Sequence, residues 1–445
     1  MMQNDELNSI GKYALKARDL LKKKALDQAE VIVFESRDIH IKIEKNRIFS
    51  SNLRSTRSIS IRAFLKGGMG RYSTTVGRDK DIEEAVERVS LITRSVQSDP
   101  DFRSLPYPSE MRKIENLFDP EIASIEKDKI FSWATCAIEE ALNRDPNIML
   151  SGSVASSSAG YFLANTNGVE AGEKSTHISM HLFGVIRRKG ETGSGFDFDE
   201  AVMLKDFSPG GLGGRVANKA IKQLGARRIN GGRLPVIFGP LASEVVLGFL
   251  AGACNAEDVQ RRRSFLCGMK GKKIASEVLT LFDDPLIPAG LNSSAFDGEG
   301  TPHKKITILE KGVLKTYLHN SYTSHKSGEE NTAHATFGGG ISPTNLIPEL
   351  GKRTEEEIIK EVKEGIYIDS TSFSPDPVSG DFSQVIDFGF KIENGRLSFP
   401  LKDVMIGGNF LQLLRDIEEV SSDYREEPGS IMPTLKVREI SVSGD

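Results

Sequence analysis

The stretch SEVVLGFLAG, residues 243–252, has apolar side chains at helical spacing, and it stands in a region where neighbouring segments alternate like strands. RLPVIFG, residues 233–239, comes directly before it and predicts a buried strand. KKITILEKGVLKTYLHN, residues 304–320, follows it and predicts a hairpin that turns at Lys-Gly. Helices combined with antiparallel hairpins, without βαβ repeats, predict an α+β fold.

The amino-terminal third predicts strands enclosed by two helices. Residues 5–26 and 78–96 have the apolar spacing of amphipathic helices. Between them, the runs at 29–36, 40–51 and 58–75 alternate like strands joined by polar turns. This third therefore predicts a helix–strands–helix unit.

The next segment begins with a proline-bearing stretch at 98–110, which predicts a linker. A helix is predicted at 121–143, and strands that turn within NTNGV follow it, because Asn-Gly favours hairpin turns. We therefore predict three parts: an N-terminal α/β domain (1–105), a central α+β segment (106–230), and a strand-rich C-terminal domain that carries the 243–252 helix (231–445).

Composition excludes several classes of protein. The 445 residues carry 58 basic and 62 acidic side chains, so a formal net charge of −4 gives no electrostatic footprint for nucleic acid. No apolar run has the length of a membrane span or of a signal peptide. The three cysteines contain no CxxC pair and favour a reducing compartment. We expect a cytoplasmic protein without a nucleic-acid or membrane partner.

Six stretches of the chain together resemble the TldD/PmbA family, which has been called both a modulator of DNA gyrase and a zinc-dependent protease. They span most of residues 160–445, whereas the first third matches only in pattern. The stretches are LANTNGVEAGE, SFLCGMKGKKIASEVLTLFDDP, AFDGEGTPHKKITILEKGVLKTYLHNSYTSHK, NTAHATFGGGISPTNL, DFSQVIDFGFKIENGRLSFPLKDVMIGGNF and PGSIMPTLKVREISVSG.

The resemblance implies which branch of the family this chain follows. TldD-type chains carry His-Glu-x-x-x-His on a helix and a late cysteine, which together hold a metal, whereas PmbA-type chains, also called TldE, lack them. Aligned on Glu244, the two histidine positions are Ser243 and Gly248, and no cysteine follows Cys267. A serine hydroxyl is a poor zinc ligand and glycine has no side chain. The resemblance therefore implies a PmbA/TldE-type chain without its own metal or cofactor.

Other candidate residues are weaker. Arg261, Arg262 and Arg263 form the strongest basic run, and arginine recognises carboxylates, so these residues could contact a peptide or a partner. His334 matches a histidine of the family and is a second possible contact. His177 and His181 would lie roughly 13 Å apart along a strand, too far to share an ion.

Three residues stay open at this point. His319 and His325 lie near two glutamates, Glu329 and Glu330, so a ligand cluster is conceivable, although exposed loop histidines are the commoner explanation. Cys254 follows the 243–252 helix without a histidine close in sequence, so a catalytic thiol is weakly supported.

Three functions compete. The resemblance implies a catalytically silent subunit that pairs with a TldD-like metalloprotease, zinc being expected only in that partner, in the proteolysis or maturation of unfolded or modified peptides. A stand-alone peptidase with a divergent site, which could form a homodimer, is the second hypothesis. A gyrase or nucleic-acid modulator is the third, and the acidic balance and the absence of a basic stripe oppose it.

Overall fold

The α+β class predicted from the sequence is confirmed by the computed structural model, which describes residues 2–444. No helix among these residues is long and apolar enough to cross a membrane. The elements up to residue 222 are α1 (Met2–Leu21), β1 (Gln28–Glu44), β2 (Arg47–Leu65), β3 (Gly68–Thr75), α2 (Asp79–Ser95), α3 (Pro120–Ala123), α4 (Lys127–Arg144), β4 (Ile148–Asn165), β5 (Glu170–Arg188), β6 (Glu191–Ala201) and α5 (Leu212–Lys222), with a 3₁₀ turn at Leu204–Asp206.

Shorter elements make up the C-terminal part. They are β7 (Gly232–Phe238), α6 (Pro240–Ala253), α7 (Ala256–Gln260), β8 (Leu281–Asp283), β9 (Ile306–Glu310), β10 (Val313–Leu314), α8 (Ser321–Ser327), β11 (Leu346–Pro348), α9 (Glu355–Lys360), β12 (Glu364–Ser370), β13 (Asp381–Val385), β14 (Phe388–Glu393), β15 (Arg396–Pro400), β16 (Met405–Asn409), α10 (Phe410–Arg415), β17 (Ile417–Glu427) and β18 (Ser430–Ser443).

One six-stranded antiparallel sheet, in the order β3-β2-β1-β4-β5-β6, contains strands from both sides of the predicted boundary at residue 105. One face is covered by α1 and α2 towards one end and by α4 and α5 towards the other. The C-terminal part builds an eight-stranded mixed sheet and a smaller four-stranded one. The predicted domain boundaries at 105 and 230 stay predictions.

Two of the predicted strands are wrong in their limits. The run at 40–51 crosses a tight turn at Lys45 and Asn46, whose φ angles are 50° and 61°, so 29–36 and the start of 40–51 form one long strand. The run at 58–75 contains a similar turn at Lys66-Gly67, with φ angles of 51° and 77°. Hairpin turns need positive φ, which Asn46 and Gly67 favour, so both turns carried a signal that the predicted limits did not use.

The predicted linker at 98–110 has neither helix nor strand, yet it packs on the six-stranded sheet. Phe102 stacks on Phe64 of β2 with ring centroids 3.9 Å apart. Leu105 is buried, and its backbone N–H donates to Gln28 Oε1 at 2.7 Å. We call residues 97–105 the strap, because they tie the end of α2 to the sheet.

Helix α6, which contains the stretch SEVVLGFLAG, lies against the eight-stranded sheet. Val246, Leu247 and Leu250 on one side of it are fully buried. The sequence predicts one helix through residue 260, but α6 ends at Ala253. A new helix starts because the side chain of Asn255 accepts a hydrogen bond from Glu257 N at 2.9 Å and caps α7.

A buried charged cluster joins the six-stranded sheet to the C-terminal part. Arg62 of β2 donates to Glu30 of β1 from Nε at 3.1 Å and from Nη2 at 2.9 Å. The same Nη2 donates to Glu299, 237 residues away, at 3.2 Å. Burial raises the pKa of Glu30 to about 7, with neighbouring Glu299 adding to the effect and Arg62 opposing it.

The Glu30 shift predicts a stability that depends on pH. Folding raises this pKa from about 4.3. The protonated carboxyl therefore makes its full contribution to the free energy of unfolding below about pH 4.3, and that contribution is lost as the pH rises to about 7. Glu30→Gln removes a charge partner of the buried Arg62 and should lower the unfolding free energy at about pH 5, but relative to the wild type the variant should regain about 2 kcal/mol between about pH 5 and about pH 8. Urea denaturation followed by circular dichroism measures it. Glu277→Gln, at a side chain 76% exposed, should show no such gain, and equal gains in both variants would contradict the prediction.

Alanine should have opposite effects on stability at two glycines that lie in helices. A Cβ at Gly213 in α5 would lie 1.9 Å from the Ala137 carbonyl oxygen, whereas a Cβ at Gly248 in α6 would have no atom within 4 Å. Gly213→Ala should destabilise the fold by about 1–3 kcal/mol through overpacking. Gly248→Ala should stabilise it by about 0.5–1 kcal/mol, because alanine loses less backbone entropy in a helix. The denaturation midpoints of the two variants measure these changes in stability. Shifts of the same sign in both variants would contradict the prediction.

Candidate functional site

Helix α6 forms one wall of a cleft of about 780 Å³ between the six-stranded sheet and the C-terminal part. The sheet contributes His181 from β5 and two phenylalanines, Phe196 and Phe198, from β6. The helix contributes Glu244 and Gly248. The remaining wall consists of C-terminal residues, among them Asn292, Ser342, Pro343, Thr344, Phe373 and Met432. The cleft therefore lies at the helix that resembles the metal-binding helix of the family.

Ser243, at the first histidine position, points into the core. It is fully buried, and its Oγ lies 2.5 Å from the carbonyl oxygen of Pro433 in β18 and 2.9 Å from that of Pro240. The hydroxyl thus ties the helix to the last strand. Helix α6 therefore packs beside β18.

Gly248, at the second histidine position, faces the open cleft instead. Positions five apart are about 140° apart around an ideal helix, so Ser243 and Gly248 point in different directions. Open space surrounds the position where a Cβ of residue 248 would lie. Only Glu244 of the three motif positions presents a side chain to the cleft.

The side chains present do not fit a zinc ion at this helix. Catalytic zinc takes about three protein ligands from imidazole, thiolate or carboxylate groups at about 2.0–2.3 Å. Ser243 is engaged in the core, Gly248 has no donor atom, and Glu244 alone is one ligand. Within residues 2–444, no three His, Cys, Asp or Glu side chains are grouped so that they could hold a metal.

Carboxylates concentrate at the cleft. Burial raises the pKa of Glu244, with Glu200 of β6 adding to the effect and Arg425 of β17 opposing it. Burial also raises the pKa of Glu427 to about 7 against the opposing charge of Arg425. Glu200 lies 3.1 Å from His177 Nε2. As the pH falls through about 7, a proton on Glu427 reduces the negative charge near Glu244.

Arg425 joins the two sides of the cleft. Its Nη1 donates to Asp197 Oδ1 at 3.0 Å, and its Nη2 donates to the carbonyl oxygen of Phe198 at 2.9 Å. The guanidinium also lies 4.4 Å from the centre of the Phe198 ring. Sequence reasoning missed this residue and Glu200, because strand alternation assigns a face but does not tell which distant strands meet.

The predicted arginine contacts lie elsewhere. Arg261, Arg262 and Arg263 are exposed in the turn after α7, and none of them lines the cleft beside α6. Arg261 pairs with Glu257 at 2.7 Å, one helical turn away. The backbone N–H of Arg263 donates to the Asp258 carbonyl at 2.7 Å. A contact between these arginines and a partner chain stays a prediction.

His334 does not reach a surface, because 0% of its side chain is exposed. Its Nδ1 donates to the Thr332 carbonyl at 2.7 Å, and its Nε2 lies 3.5 Å from Asp283 Oδ1. Asp283 in turn accepts from the backbone N–H of Thr344, which lines the cleft, at 2.8 Å. In this structure His334 supports the cleft wall through Asp283, and its contact with a substrate or a partner stays a prediction.

The remaining open residues are also separated from the cleft. His319 is buried, and its Nε2 lies 3.4 Å from Glu329 Oε2, but Glu330 pairs with Lys304. The conceivable ligand cluster around His319 and His325 is thus not assembled among residues 2–444. Cys254 is fully buried, and burial raises its pKa to about 12, which keeps the thiol protonated and unreactive.

Three family models match the chain in order. They describe the PmbA/TldA metallopeptidase domain 1 at residues 29–93, the central domain at 120–224 and the C-terminal domain at 231–444. The helix with the degenerate positions lies within the third.

Similar proteins agree with these models. The metalloprotease PmbA homologue of Buchnera aphidicola subsp. Acyrthosiphon pisum is 26% identical over 455 residues, which cover 100% of this chain and 99% of that one. The metalloprotease TldD homologue of the same organism is 30% identical over 217 residues, 47% of this chain and 45% of its own. The crystal structure of TldE from Thermococcus kodakarensis superposes with a TM-score of 0.87 at 26% identity, covering 97% of this chain and 99% of that one. The chain therefore belongs to the PmbA/TldD metallopeptidase family.

Proposed function

We propose that this chain is the non-metal, PmbA/TldE-type subunit of a two-chain metalloprotease. It would hold an unfolded or modified peptide while a TldD-like partner supplies zinc and the hydrolytic step. The observation that carries the proposal is the cleft beside α6, where Ser243 is turned into the core and Gly248 leaves an open wall. The helix and its cleft are present, but the ligand side chains are not.

The shape and lining of the cleft support peptide binding. Its volume of about 780 Å³ falls within the range of about 300–1,000 Å³ typical of ligand sites. Phe196, Phe198 and Phe249 offer apolar surface for peptide side chains. Arg425 holds β6 against β17, so the wall is formed before a ligand arrives, which lowers the cost of ordering it.

The relatives support a division of labour between two chains. One organism, Buchnera aphidicola subsp. Acyrthosiphon pisum, has both a PmbA homologue and a TldD homologue, and this chain matches the first over its whole length. The second matches only about half of this chain. A cell that contains both types can place the metal in one and part of the peptide site in the other.

Activity should appear only in the mixture. Alone, this chain should not cut a denatured, fluorescently labelled protein, because it lacks the side chains to hold a water-activating ion. A TldD-like partner from the same cell should cut the labelled protein faster when this chain is present. A chelator should abolish that cleavage. The matched control is the partner with its motif histidines replaced by alanine. Chelator-sensitive cleavage by this chain alone would overturn the proposal.

Zinc binding should not return when only the two motif positions are changed. The wild type and the Ser243→His, Gly248→His variant should both hold well below one zinc per chain. One new imidazole would lie in the core against Pro433 and the other in the cleft, and the third ligand would still be absent. Elemental analysis after dialysis measures it. Stoichiometric zinc in the double variant would show that the helix still presents both positions to one ion.

A further inference from the structure

A second cavity, of about 260 Å³, lies apart from the cleft beside α6 and shares no lining residue with it. Three parts of the chain enclose it. The ends of β2 and β3 contribute Arg62, Phe64 and Met69, the strap contributes Phe102, and the C-terminal part contributes Gly339. The cavity therefore exists only when these parts are assembled.

Arg62 brings unused hydrogen-bond donors to this cavity. Its side chain is only 5% exposed, and its Nε and Nη2 donate to Glu30 and Glu299. None of the hydrogen bonds that this guanidinium makes with residues 2–444 involves Nη1, so this nitrogen has no protein acceptor among them. Nη1 is open to the cavity, so the acceptor atom of a ligand could take the place of water at this donor.

Gly339 keeps that nitrogen open. A Cβ at residue 339 would lie 2.4 Å from Arg62 Nη1, which is too close for any side chain. The φ angle of Gly339 is +93°, a conformation that other residues rarely adopt. The loop thus passes beside the guanidinium without covering it.

Charge decides which acceptor suits the cavity. Two carboxylates, Glu30 and Glu299, already face the single positive charge of Arg62, so an anionic ligand gains little net attraction. A cation would meet the N–H groups of Nη1 and be repelled. Of the other charges at the lining, Arg261 pairs with Glu257, whereas Asp99 accepts from the uncharged Tyr322 and keeps its negative charge, which further disfavours an anion. An uncharged carbonyl oxygen is the acceptor that fits.

One wall of the cavity is apolar. Phe64 and Phe102 stack with their rings 8° from parallel, and Met69, Val96 and Leu105 line the cavity beside them. The volume is below the range of about 300–1,000 Å³ for drug-sized ligands, so the occupant is small.

We propose that this cavity binds an uncharged, amide-bearing apolar molecule the size of one capped amino acid, whose carbonyl oxygen accepts from Arg62 Nη1. The site is separate from the cleft beside α6, so its occupancy does not require a partner chain.

Calorimetric titration of the full chain with three matched compounds tests the proposal. N-acetylphenylalanine amide is uncharged, N-acetylphenylalanine is an anion, and phenylalanine amide is a cation at neutral pH. The uncharged compound should bind with a dissociation constant at least about tenfold lower than either charged one. Absence of saturable binding at millimolar concentration, or equal binding of all three, would overturn it.

A pair of variants assigns the binding to this cavity. Met69→Trp should fill the space and weaken the uncharged compound by at least about tenfold. Met69 is 43% exposed on the edge strand β3, so this variant should fold. Met405→Trp is the control, because Met405 is 37% exposed on β16 and does not line the cavity. Equal affinity of the two variants would place the ligand elsewhere and refute the assignment.

Discussion

The sharing of Arg62 between Glu30 and Glu299 is the contact on which the arrangement of the chain depends. A guanidinium that has lost its water must keep its carboxylates, because removing one partner of a buried pair leaves an uncompensated charge at a cost of about 3–5 kcal/mol. Glu30 and Arg62 belong to the six-stranded sheet, whereas Glu299 belongs to the C-terminal part. The cluster therefore fixes the position of one against the other, and both cavities form between them.

Arg425 provides the second tie, and it acts at the cleft itself. It combines an ion pair with Asp197, a hydrogen bond to the Phe198 carbonyl and a contact with the Phe198 ring. Three kinds of interaction on one side chain hold the edge strand β6 more firmly than any single one, since each restricts a different direction of movement. The edge is also protected, because Arg425 and Asp197 occupy the backbone groups of Phe198 that another strand would use.

Local patterns in the sequence predicted helices and strands. They could not predict which distant residues meet at the cleft, because long-range contacts determine that. The apolar spacing of 243–252 is a property of one helix, so α6 could be predicted without knowing its neighbours. The turns at Lys45-Asn46 and Lys66-Gly67 are also local, since asparagine and glycine favour positive φ, but the strand pairing is what shows where each long strand ends. Asp197 and Arg425 are 228 positions apart in the chain and meet only through the fold. The resemblance to the family located Ser243 and Gly248, but it could not show that one faces the core and the other faces the cleft.

The contact of Ser243 with Pro433 has an evolutionary consequence. A small hydroxyl in this position has become part of the core, and the neighbouring backbone has closed around it. A return to histidine would force a larger ring into that space, and overpacking of this kind costs about 1–3 kcal/mol. The loss of stability would come with the first substitution, whereas zinc binding would need at least two more ligands. A chain with serine at this position is thus separated from a histidine-bearing one by a stability barrier that the first substitution has to cross.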